Sequence, residues 1–261
     1  MTQNERREYL IQYLLMENNN IFRQKIPADK REQENLLRSL MNVRLPKPVS
    51  RDFLEIQDEY LKQRNQERGI TDFTDLKPVA SDNKIYIWQG DITTLKCDAI
   101  VNACNSRMLG CFSPMHACID NFIHTYAGIE LRLKMHEIML NQGHEEKTGK
   151  AKITSAYNLP AKYILHTVGP IVQGSLQKKH EQLLASCYRS CLELAEEYNV
   201  KSIAFCCIST GVFMFPNGRA VEIAVETVKR YYEETGSDMK VIFNVFKDGD
   251  LSIYRKILCN N

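Results

Sequence analysis

Two cysteines and one histidine lie within eight residues of each other in the middle of the chain: Cys111, His116 and Cys118. Two thiolates and an imidazole form a donor set that zinc favours, usually in tetrahedral geometry. The spacing differs from that of a paired Cys-x-x-Cys knuckle, and no second thiol pair follows. A fourth position is then left for water or substrate, as in a catalytic zinc site. The structural alternative is that the cysteines are small core residues and that His116 caps the helix that follows.

Two titratable residues follow this cluster at the start of a predicted helix. Asp120 comes two residues after Cys118, and His124 lies one helical turn further on, so the two side chains share one helix face. A carboxylate beside a metal can act as a general base or orient a substrate, which makes Asp120 a candidate catalytic residue. The structural alternatives are that Asp120 complements the helix dipole and that His124 is a hydrogen-bonded helix histidine rather than a ligand.

One apolar run ends in two asparagines. Residues 98–101, Asp-Ala-Ile-Val, lead into Asn102 and, three residues later, Asn105. A continuous apolar run is typical of a strand buried on both faces, and open α/β sheets bind ligands at the carboxyl ends of such strands. The uncharged donors and acceptors of asparagine suit sugar hydroxyls there. Closure of a turn by the two side chains is the alternative.

A second apolar run, residues 202–208, leads into Ser-Thr-Gly-Val-Phe at 209–213 and then into a helical pattern. Small hydroxyl residues and a glycine between a strand and a helix let backbone N–H groups converge on an anion. The segment lacks the glycine–lysine pattern of nucleotide triphosphatases and the Gly-x-Gly-x-x-Gly pattern of dinucleotide folds. An ordinary strand-to-helix connection is the alternative.

The hydrophobic periodicity predicts the elements that position these residues. From Lys84 onward, short apolar runs alternate with helical stretches, which predicts a three-layer α/β domain over 79–261. The predicted strands are 84–88, 98–103, 153–157, 163–167, 202–208 and 240–246. The predicted helices are 119–141, 178–198, 217–233 and 251–259.

The first 78 residues have a different composition, with 27 charged residues against 39 in the remaining 183. Apolar residues recur at helical spacing in three stretches. Asp29 and Ser50 are suited to cap the second and third of these, and Gly69 to end the third. We therefore predict a helical N-terminal extension over 1–78.

The composition of the 261-residue chain excludes several classes of protein. Its 34 Lys+Arg balance 32 Asp+Glu, which argues against nucleic acid as a partner, and 44% apolar residues are too many for a disordered chain. The absence of an apolar run of about 18 residues and of a signal-peptide pattern predicts a cytoplasmic protein with no membrane partner. The nine cysteines, of which Cys97 is the first, are odd in number, so burial or metal binding explains them better than disulfides do.

Four ordered motifs resemble the macrodomain family, the ADP-ribose-binding α/β module. They are Gln-Gly-Asp-Ile-Thr at 89–93, Asp-Ala-Ile-Val-Asn-Ala-Cys-Asn at 98–105, Tyr-Asn-Leu-Pro-Ala-Lys-Tyr at 157–163 with His-Thr-Val-Gly-Pro at 166–170, and Ile-Ser-Thr-Gly-Val-Phe at 208–213. The glycine-rich loop of most members is replaced here by the segment with Cys111, His116 and Cys118, which resembles the zinc-dependent branch of the family. The implied fold is a three-layer α/β/α macrodomain with a mixed central sheet, preceded by an α-helical extension.

The resemblance implies a role for each matching residue. Asp91 would accept from the adenine amino group, Ile92 would contact adenine through its backbone, and Phe246 would lie against the ring. Asn102 is placed with Asn105 in the ligand site, where Asn105 would meet the distal ribose. The residues implied to hold the diphosphate are Ser209, Thr210, Gly211, Val212 and Phe213, helped by the N–H groups of Ile119 and Asp120. The implied Zn²⁺ ligands are Cys111, His116 and Cys118, and the implied catalytic residues are Asp120 and Asn105.

The activity implied by this branch is zinc-dependent hydrolysis that removes mono-ADP-ribose from modified protein side chains and releases ADP-ribose. Its members are microbial and are often encoded beside a sirtuin-type ADP-ribosyltransferase and a lipoyl-carrier protein, which makes such a carrier a candidate substrate. Two other functions stay open: a non-catalytic reader of ADP-ribosylated proteins, and a hydrolase of small derivatives such as O-acetyl-ADP-ribose. Zinc could activate water or orient the substrate, and the sequence does not choose between these roles.

Overall fold

The computed structural model describes residues 1–17 and 25–259. The helices in this part of the chain are α1 (Gln3–Glu17), α2 (Lys30–Val43), α3 (Arg51–Glu67), α4 (Ile119–Ala127), α5 (Ile129–Gln142), α6 (Lys178–Glu197), α7 (Asn217–Thr235) and α8 (Asp248–Cys259). The strands are β1 (Thr71–Asp72), β2 (Pro78–Val79), β3 (Asp82–Gln89), β4 (Leu95–Lys96), β5 (Ala99–Cys104), β6 (Ala151–Ser155), β7 (Tyr163–Val168), β8 (Ser202–Phe205) and β9 (Lys240–Val245).

Seven of the described strands form one sheet in the order β2-β3-β9-β8-β5-β7-β6. The five central strands run parallel, while the edge strands β2 and β6 are antiparallel to their neighbours, so the predicted mixed sheet is confirmed. The short strands β1 and β4 pair separately. β5 is buried along almost its whole length, as its continuous apolar sequence predicts.

The helices that follow the extension cover both faces of the sheet. Crossovers between parallel strands are right-handed, so the face that a crossover covers depends on its direction along the sheet. The connection from β5 to β7 carries α4 and α5 in one direction, whereas those from β7 to β8 and from β8 to β9 carry α6 and α7 in the other. The two groups therefore lie on opposite faces, which confirms the three-layer prediction. The reversal next to β5 leaves a crevice outside the carboxyl ends of the strands.

The prediction of one helix over 119–141 is wrong, because the chain breaks it at Gly128 into α4 and α5. Gly128 has φ 102° and ψ 172°, a conformation that is essentially restricted to glycine. A Cβ there would also lie 2.7 Å from Nε2 of Gln57. Apolar residues continue on both sides of the glycine, so the hydrophobic pattern gave no signal of the break.

The other predicted strands and helices of the α/β domain are present with shifted ends. The strand predicted over 202–208 ends at Phe205, and the one predicted over 153–157 spans Ala151–Ser155. Tyr157 has a φ of +52°, which is incompatible with a strand. The residues between Phe205 and Ser209 instead lead from the sheet into the predicted anion-binding loop.

The three helices predicted in the extension are present. The Asp29 carboxylate accepts a hydrogen bond from the N–H of Glu32 at 2.9 Å, and the Ser50 hydroxyl accepts one from the N–H of Phe53 at 3.2 Å, so both predicted N-caps are confirmed. Apolar side chains of the three helices form a second core cluster. It includes Ile129 from α5, so the extension packs directly on the α/β domain.

The division of the chain at residue 78 stays a prediction. The last helix of the extension ends at Glu67, and the short strands β1 and β2 occupy the segment before residue 80. None of the helices in the described residues combines the length and the apolar sequence needed to cross a bilayer.

Candidate functional site

A cavity of about 670 Å³ opens at the carboxyl ends of the parallel strands. Its walls come from the segments that follow β3, β5, β8 and β9 and from the first residues of α4, at the point where the crossover direction reverses. Open α/β sheets bind ligands at this position, and the size is that of a small-molecule site. The sequence-predicted site residues that line the cavity are Asp91, Ile92, Asn105, Cys111, His116, Cys118, Ile119, Asp120, Ser209, Thr210, Gly211, Val212, Phe213 and Phe246.

The three predicted metal ligands converge at one end of the cavity. Their ligand atoms, the two Sγ atoms and a ring nitrogen of His116, all lie within 4.8 Å of one another. Zn–S bonds of about 2.3 Å and Zn–N bonds of about 2.0 Å in a tetrahedron set ligand atoms about 3.5 Å apart. Sγ of Cys111 lies 3.5 Å from Nδ1 of His116. The donor types and their spacing therefore fit a zinc ion, and the cavity beside them provides room for a fourth ligand.

Asp120 lies at the base of the cavity, 4% exposed, where it is held by a buried polar chain. The amide nitrogen of Asn102 donates to Oδ1 of Asp120 at 2.8 Å and lies 3.2 Å from Nδ1 of His166. Nε2 of His166 lies 3.0 Å from the hydroxyl of Thr154. Burial raises the pKa of Asp120 to about 6, against the lowering effect of the Asn102 hydrogen bond and the charge of Arg132.

Asn102 was predicted to contact the ligand, but it is fully buried and lies outside the cavity lining. Its amide nitrogen has two hydrogens, and they are oriented towards Asp120 and His166. Because Asn102 sits within β5 rather than beyond its end, its side chain is covered by α4. The position of Asn102 therefore favours a role in holding Asp120. Asn105, by contrast, lines the cavity, with its amide fixed by the carbonyl of Gly110 at 3.3 Å.

His124 shares a helix face with Asp120, as predicted, with Nε2 at 3.6 Å from Oδ1 of Asp120. It stands outside the metal-binding group, and neither of its ring nitrogens makes a hydrogen bond within the described residues. Burial lowers the pKa of His124 well below its usual value, so the ring is neutral. A Cβ on Gly110 would lie 2.8 Å from the ring, so the glycine allows the 110–118 loop to cross directly over it.

The 209–213 loop presents backbone donors to the cavity. No N–H from Ser209 to Phe213 donates a hydrogen bond within the described part of the chain. Ser209 adopts a positive φ of 65°, which turns the backbone at the point where it leaves the sheet. The N–H groups of Ile119 and Asp120, in the first turn of α4, have no acceptor within that helix. These two sets of donors border the same cavity, which suits an anion such as a diphosphate.

The other end of the cavity is lined by Asp91, Ile92 and Phe246. Oδ1 of Asp91 accepts from the N–H of Thr93 at 3.0 Å and from its hydroxyl at 2.6 Å. Oδ2 of Asp91 accepts from Nη2 of Arg68, at the end of α3. Phe246 is 75% exposed, so its ring is available for stacking.

The chain is a three-layer α/β/α protein with a ligand cavity at the reversal point of a mixed sheet, an arrangement that macrodomains share with other α/β proteins. The chain belongs to the Macro domain family, whose model matches residues 101–224. It is 58% identical over 260 residues to a protein from Treponema medium named Protein-ADP-ribose hydrolase, a match that covers 99% of this chain and 100% of that one. A protein of the same name from Staphylococcus aureus strain MSSA476 is 52% identical over 252 residues, which covers 96% of this chain and 94% of that one.

Solved structures show the same relationship. A Trypanosoma brucei macrodomain in complex with ADP-ribose superposes with a TM-score of 0.65 at 31% sequence identity. The superposition covers 84% of this chain and 94% of that chain.

The sequence did not reveal the contribution of the extension to the site. Arg38 in α2 and Arg68 after α3 both reach residues of the cavity wall, and Arg132 in α5 binds backbone carbonyls of the extension. In a charge-rich helical segment such as residues 1–78, arginines are expected to be exposed to solvent. The spacing of Arg38 and Arg68 gives no sign that they contact another part of the molecule.

Proposed function

We propose that the chain is a zinc-dependent hydrolase that removes mono-ADP-ribose from modified side chains of proteins. Relatives that are 58% and 52% identical carry the name Protein-ADP-ribose hydrolase. The observation that carries the zinc dependence is the convergence of Cys111, His116 and Cys118 within 4.8 Å, in the wall of the cavity that Asp120 also lines.

The cavity is suited to hold ADP-ribose along its length. Asp91 has carboxylate lone pairs for the adenine amino group, and the exposed ring of Phe246 can stack on the purine. The N–H groups of the 209–213 loop and those of Ile119 and Asp120 are donors for the diphosphate. A ligand bound in this way places its distal ribose near Asn105, Asp120 and the proposed metal ligands.

Cys111, His116 and Cys118 would hold the zinc ion. A zinc ion in such a site supplies Lewis-acid polarisation of an oxygen atom or lowers the pKa of water to about 7. Burial raises the pKa of the Cys118 thiol to about 12, so the binding of zinc there displaces a thiol proton.

The proposed reaction adds one water molecule across the glycosidic bond. The bond between the distal ribose and the protein side chain breaks, the ribose gains a hydroxyl, and the side chain takes up a proton. Asp120 accepts a proton from water or orients the water, and the Asn102 amide fixes the carboxylate for this role. Asn105 orients the sugar.

The proposed location of the protein is the cytoplasm. All nine cysteines are free thiols, as is usual for proteins of that compartment.

The experiment is a release assay with labelled ADP-ribose on Asp-, Ser- and Arg-linked protein substrates. We expect release from at least one linkage, its loss after treatment with a zinc chelator, and its recovery when zinc is restored. A non-chelating isomer of the chelator serves as the control for nonspecific inhibition. Tight binding of ADP-ribose without release from any linkage, unchanged by chelation, would favour a reader module instead. Faster turnover of O-acetyl-ADP-ribose than of any modified protein would favour a small-molecule hydrolase.

The ligand set can be tested by substitution. We expect Cys118→Ala to lose stoichiometric zinc, because two ligands bind zinc much more weakly than three. Cys259→Ala is the matched control, since Cys259 is exposed in α8 and is not among the residues that line the cavity. Metal analysis of the two purified proteins measures the difference. Full zinc content and full activity in Cys118→Ala would contradict the assignment.

A further inference from the structure

The helical extension contacts the site through two arginines, one near each end of the cavity. We propose that Arg38 and Arg68 are positioning residues, Arg38 for the 110–118 loop that carries the metal ligands and Arg68 for the Asp91 carboxylate. The inference rests on the proposed function for what these two parts of the site bind. It adds that the extension is part of the binding machinery rather than a separate module.

Arg38 binds the 110–118 loop at the backbone of His116, one of the three proposed zinc-binding residues. Its Nη2 donates to the carbonyl oxygen of His116 at 2.9 Å and to Oδ1 of Asn121 at 2.8 Å. The amide nitrogen of Asn121 in turn donates to the carbonyl oxygen of Ser113 at 3.0 Å. Arg38 therefore fixes the loop both directly and through Asn121. The 110–118 loop lacks regular secondary structure, so these bonds restrict where the imidazole can lie.

The neighbouring residue Asn42 strengthens this contact from the same helix. Oδ1 of Asn42 accepts from the N–H of Met115 at 3.1 Å, and its amide nitrogen donates to the hydroxyl of Thr125 at 3.0 Å. Met115 has a positive φ of 58°, an uncommon conformation for a residue with a side chain. The loop is thus held at two consecutive residues, Met115 and His116, by side chains of α2.

Arg68 fixes Asp91 at the opposite end of the cavity. Its Nη2 donates to Oδ2 of Asp91 and, at 2.9 Å, to the hydroxyl of Thr93. A carboxylate has about four lone-pair positions, and Thr93 and Arg68 occupy three of those of Asp91. About one acceptor position stays available, and its direction is set by the other three bonds. Arg68 therefore determines where a ligand N–H donor must lie.

The two arginines are connected through the outer face of α4. The Arg38 guanidinium lies 4.3 Å from the ring centroid of Phe122, and the Arg68 guanidinium lies 3.5 Å from that of Tyr126. Phe122 and Tyr126 are one helical turn apart and stack with an interplanar angle of 19°. Planar guanidinium groups suit this arrangement, since they can stack on a ring while their N–H groups donate hydrogen bonds outward in the plane of the guanidinium. We call the four side chains the arginine–aromatic stack.

The extension does not depend on these two arginines to stay attached to the domain. Arg132 of α5 donates to the carbonyl oxygens of Met41, Asn42 and Arg44. Separately, the amide nitrogen of Asn65 donates to the carbonyl oxygen of Asn158 at 2.7 Å. Loss of one guanidinium from the arginine–aromatic stack should therefore disturb the adjacent part of the site while the helices remain packed.

The test compares Arg38→Gln and Arg68→Gln with the wild-type chain and with Arg51→Gln. Arg51 lies on α3 of the same extension with its side chain 90% exposed, which makes it the matched control. Three quantities are measured on the zinc-loaded full chain: the Kd for ADP-ribose by titration calorimetry, the rate of zinc loss to an excess of chelator, and the Tm. None of them requires hydrolysis.

We expect each variant to change mainly one of these quantities: Arg68→Gln the Kd for ADP-ribose, and Arg38→Gln the rate of zinc loss. Because a charge-assisted bond to a fixed group is lost in each, Arg68→Gln should raise the Kd for ADP-ribose about tenfold and leave the rate of zinc loss within about twofold of wild type. Arg38→Gln should speed zinc loss about tenfold and change the Kd by no more than about threefold. Arg51→Gln should change neither.

A lysine in place of each arginine separates positioning from charge and also covers the case in which a glutamine variant fails to fold. Lysine keeps the charge but cannot stack and bind two acceptors in one plane, so Arg38→Lys and Arg68→Lys should restore less than half of the lost effect. Full restoration by lysine, or a lowered Tm with no selective change in Kd or zinc loss, would overturn the inference. A wild-type chain that binds neither zinc nor ADP-ribose would instead contradict the proposed function.

Discussion

Asp120 is the residue on which the proposed chemistry most depends, and its surroundings suit a carboxyl group that exchanges a proton. It is buried beside the proposed metal ligands, and Asn102 holds one of its oxygens at 2.8 Å. The sequence alone left two roles open, since a carboxylate in the first turn of a helix also complements the helix dipole. In the structure Asp120 also lies in the cavity wall, a position that is not needed for a carboxylate that only complements the helix dipole.

We expect Asp120→Asn to separate these roles. Asparagine preserves the shape but cannot accept a proton, so the rate of ADP-ribose release should fall by about 100-fold or more, while the Kd for ADP-ribose stays within about threefold. The release assay and titration calorimetry give the two numbers. Near wild-type release combined with a lowered Tm would show that Asp120 serves only the start of α4.

His166 should make the stability of the protein depend on pH. Burial lowers its pKa to about 3, whereas the unfolded chain takes up the proton near its usual pKa of about 6.5. Above that value both states are neutral. Below it only the unfolded state is protonated, so the contribution of His166 to the free energy of unfolding should fall by roughly 1 kcal/mol for each pH unit between about 6 and 4.

The change His166→Phe isolates this contribution, since the other buried groups with shifted pKa values are present in both proteins. Asp120, with a raised pKa, acts in the opposite direction, and His124, with a lowered pKa, acts in the same direction. Urea unfolding at several pH values gives the free energy of unfolding as a function of pH. Its slope below about pH 6 should be smaller in His166→Phe than in the wild type, by the amount that corresponds to about one proton taken up on unfolding. His144→Phe is the control, because His144 is exposed. Equal slopes for wild type and His166→Phe would mean that the native ring is protonated.

At the scale of the elements, the break at Gly128 sets the relation between α4, which carries Asp120, and α5, which carries Arg132. The turn requires φ 102°, and the nearby Gln57 accepts a hydrogen bond from the N–H of Ile129 at 2.9 Å. A side chain at position 128 would have to displace Gln57, whose Nε2 would lie 2.7 Å from the new Cβ.

We therefore expect Gly128→Ala to lower the free energy of unfolding by about 2–4 kcal/mol through backbone strain and the displaced hydrogen bond. Gly143→Ala is the control at the other end of α5. Its φ of 76° is also unfavourable for alanine, but nothing lies within 4 Å of the added Cβ, so about 1 kcal/mol is expected. Urea denaturation measures both. Equal losses would show that neither the backbone conformation of Gly128 nor its contact with Gln57 adds to the cost.

The elements that the sequence predicted well are those with a local physical signal. Asp29 and Ser50 mark helix starts through their own side-chain hydrogen bonds, and the apolar run that contains Ile100 and Val101 marks a strand buried on both faces. The break at Gly128 was missed because a glycine inside an apolar helical pattern has no distinct local signature.

The same difference between local and long-range signals applies to the candidate site. Cys111, His116 and Cys118 are close in sequence, and their convergence was foreseen. The contacts of Arg38 and Arg68 join residues far apart in the chain, and no local pattern reports them. Asn102 shows the same limit: its motif indicated the ligand site, but its depth within β5 depends on how α4 covers the strand.

At the scale of the whole molecule, two hydrophobic clusters are joined by buried polar contacts. The smaller cluster contains the apolar face of the extension together with Ile129. Next to it Arg132, 5% exposed, donates to the carbonyl oxygens of Met41, Asn42 and Arg44 at the end of α2. Burial lowers the pKa of Arg132 to about 10, so it stays charged at neutral pH. These carbonyls would otherwise be buried without donors, which costs about 1–3 kcal/mol for each such group.

We expect this connection to make the wild-type chain unfold as one unit. The single tryptophan, Trp88, lies in β3 and reports on the α/β domain, whereas far-ultraviolet circular dichroism also reports on the extension helices. The two urea transitions should coincide in the wild type. In Arg132→Met the dichroism transition should begin at lower urea, because the extension loses the hydrogen bonds that Arg132 donates to the end of α2. Lys134→Met, on the same helix with its side chain 44% exposed, should behave like the wild type. Transitions that already separate in the wild type, or that shift together in Arg132→Met, would show that the extension folds independently of this arginine.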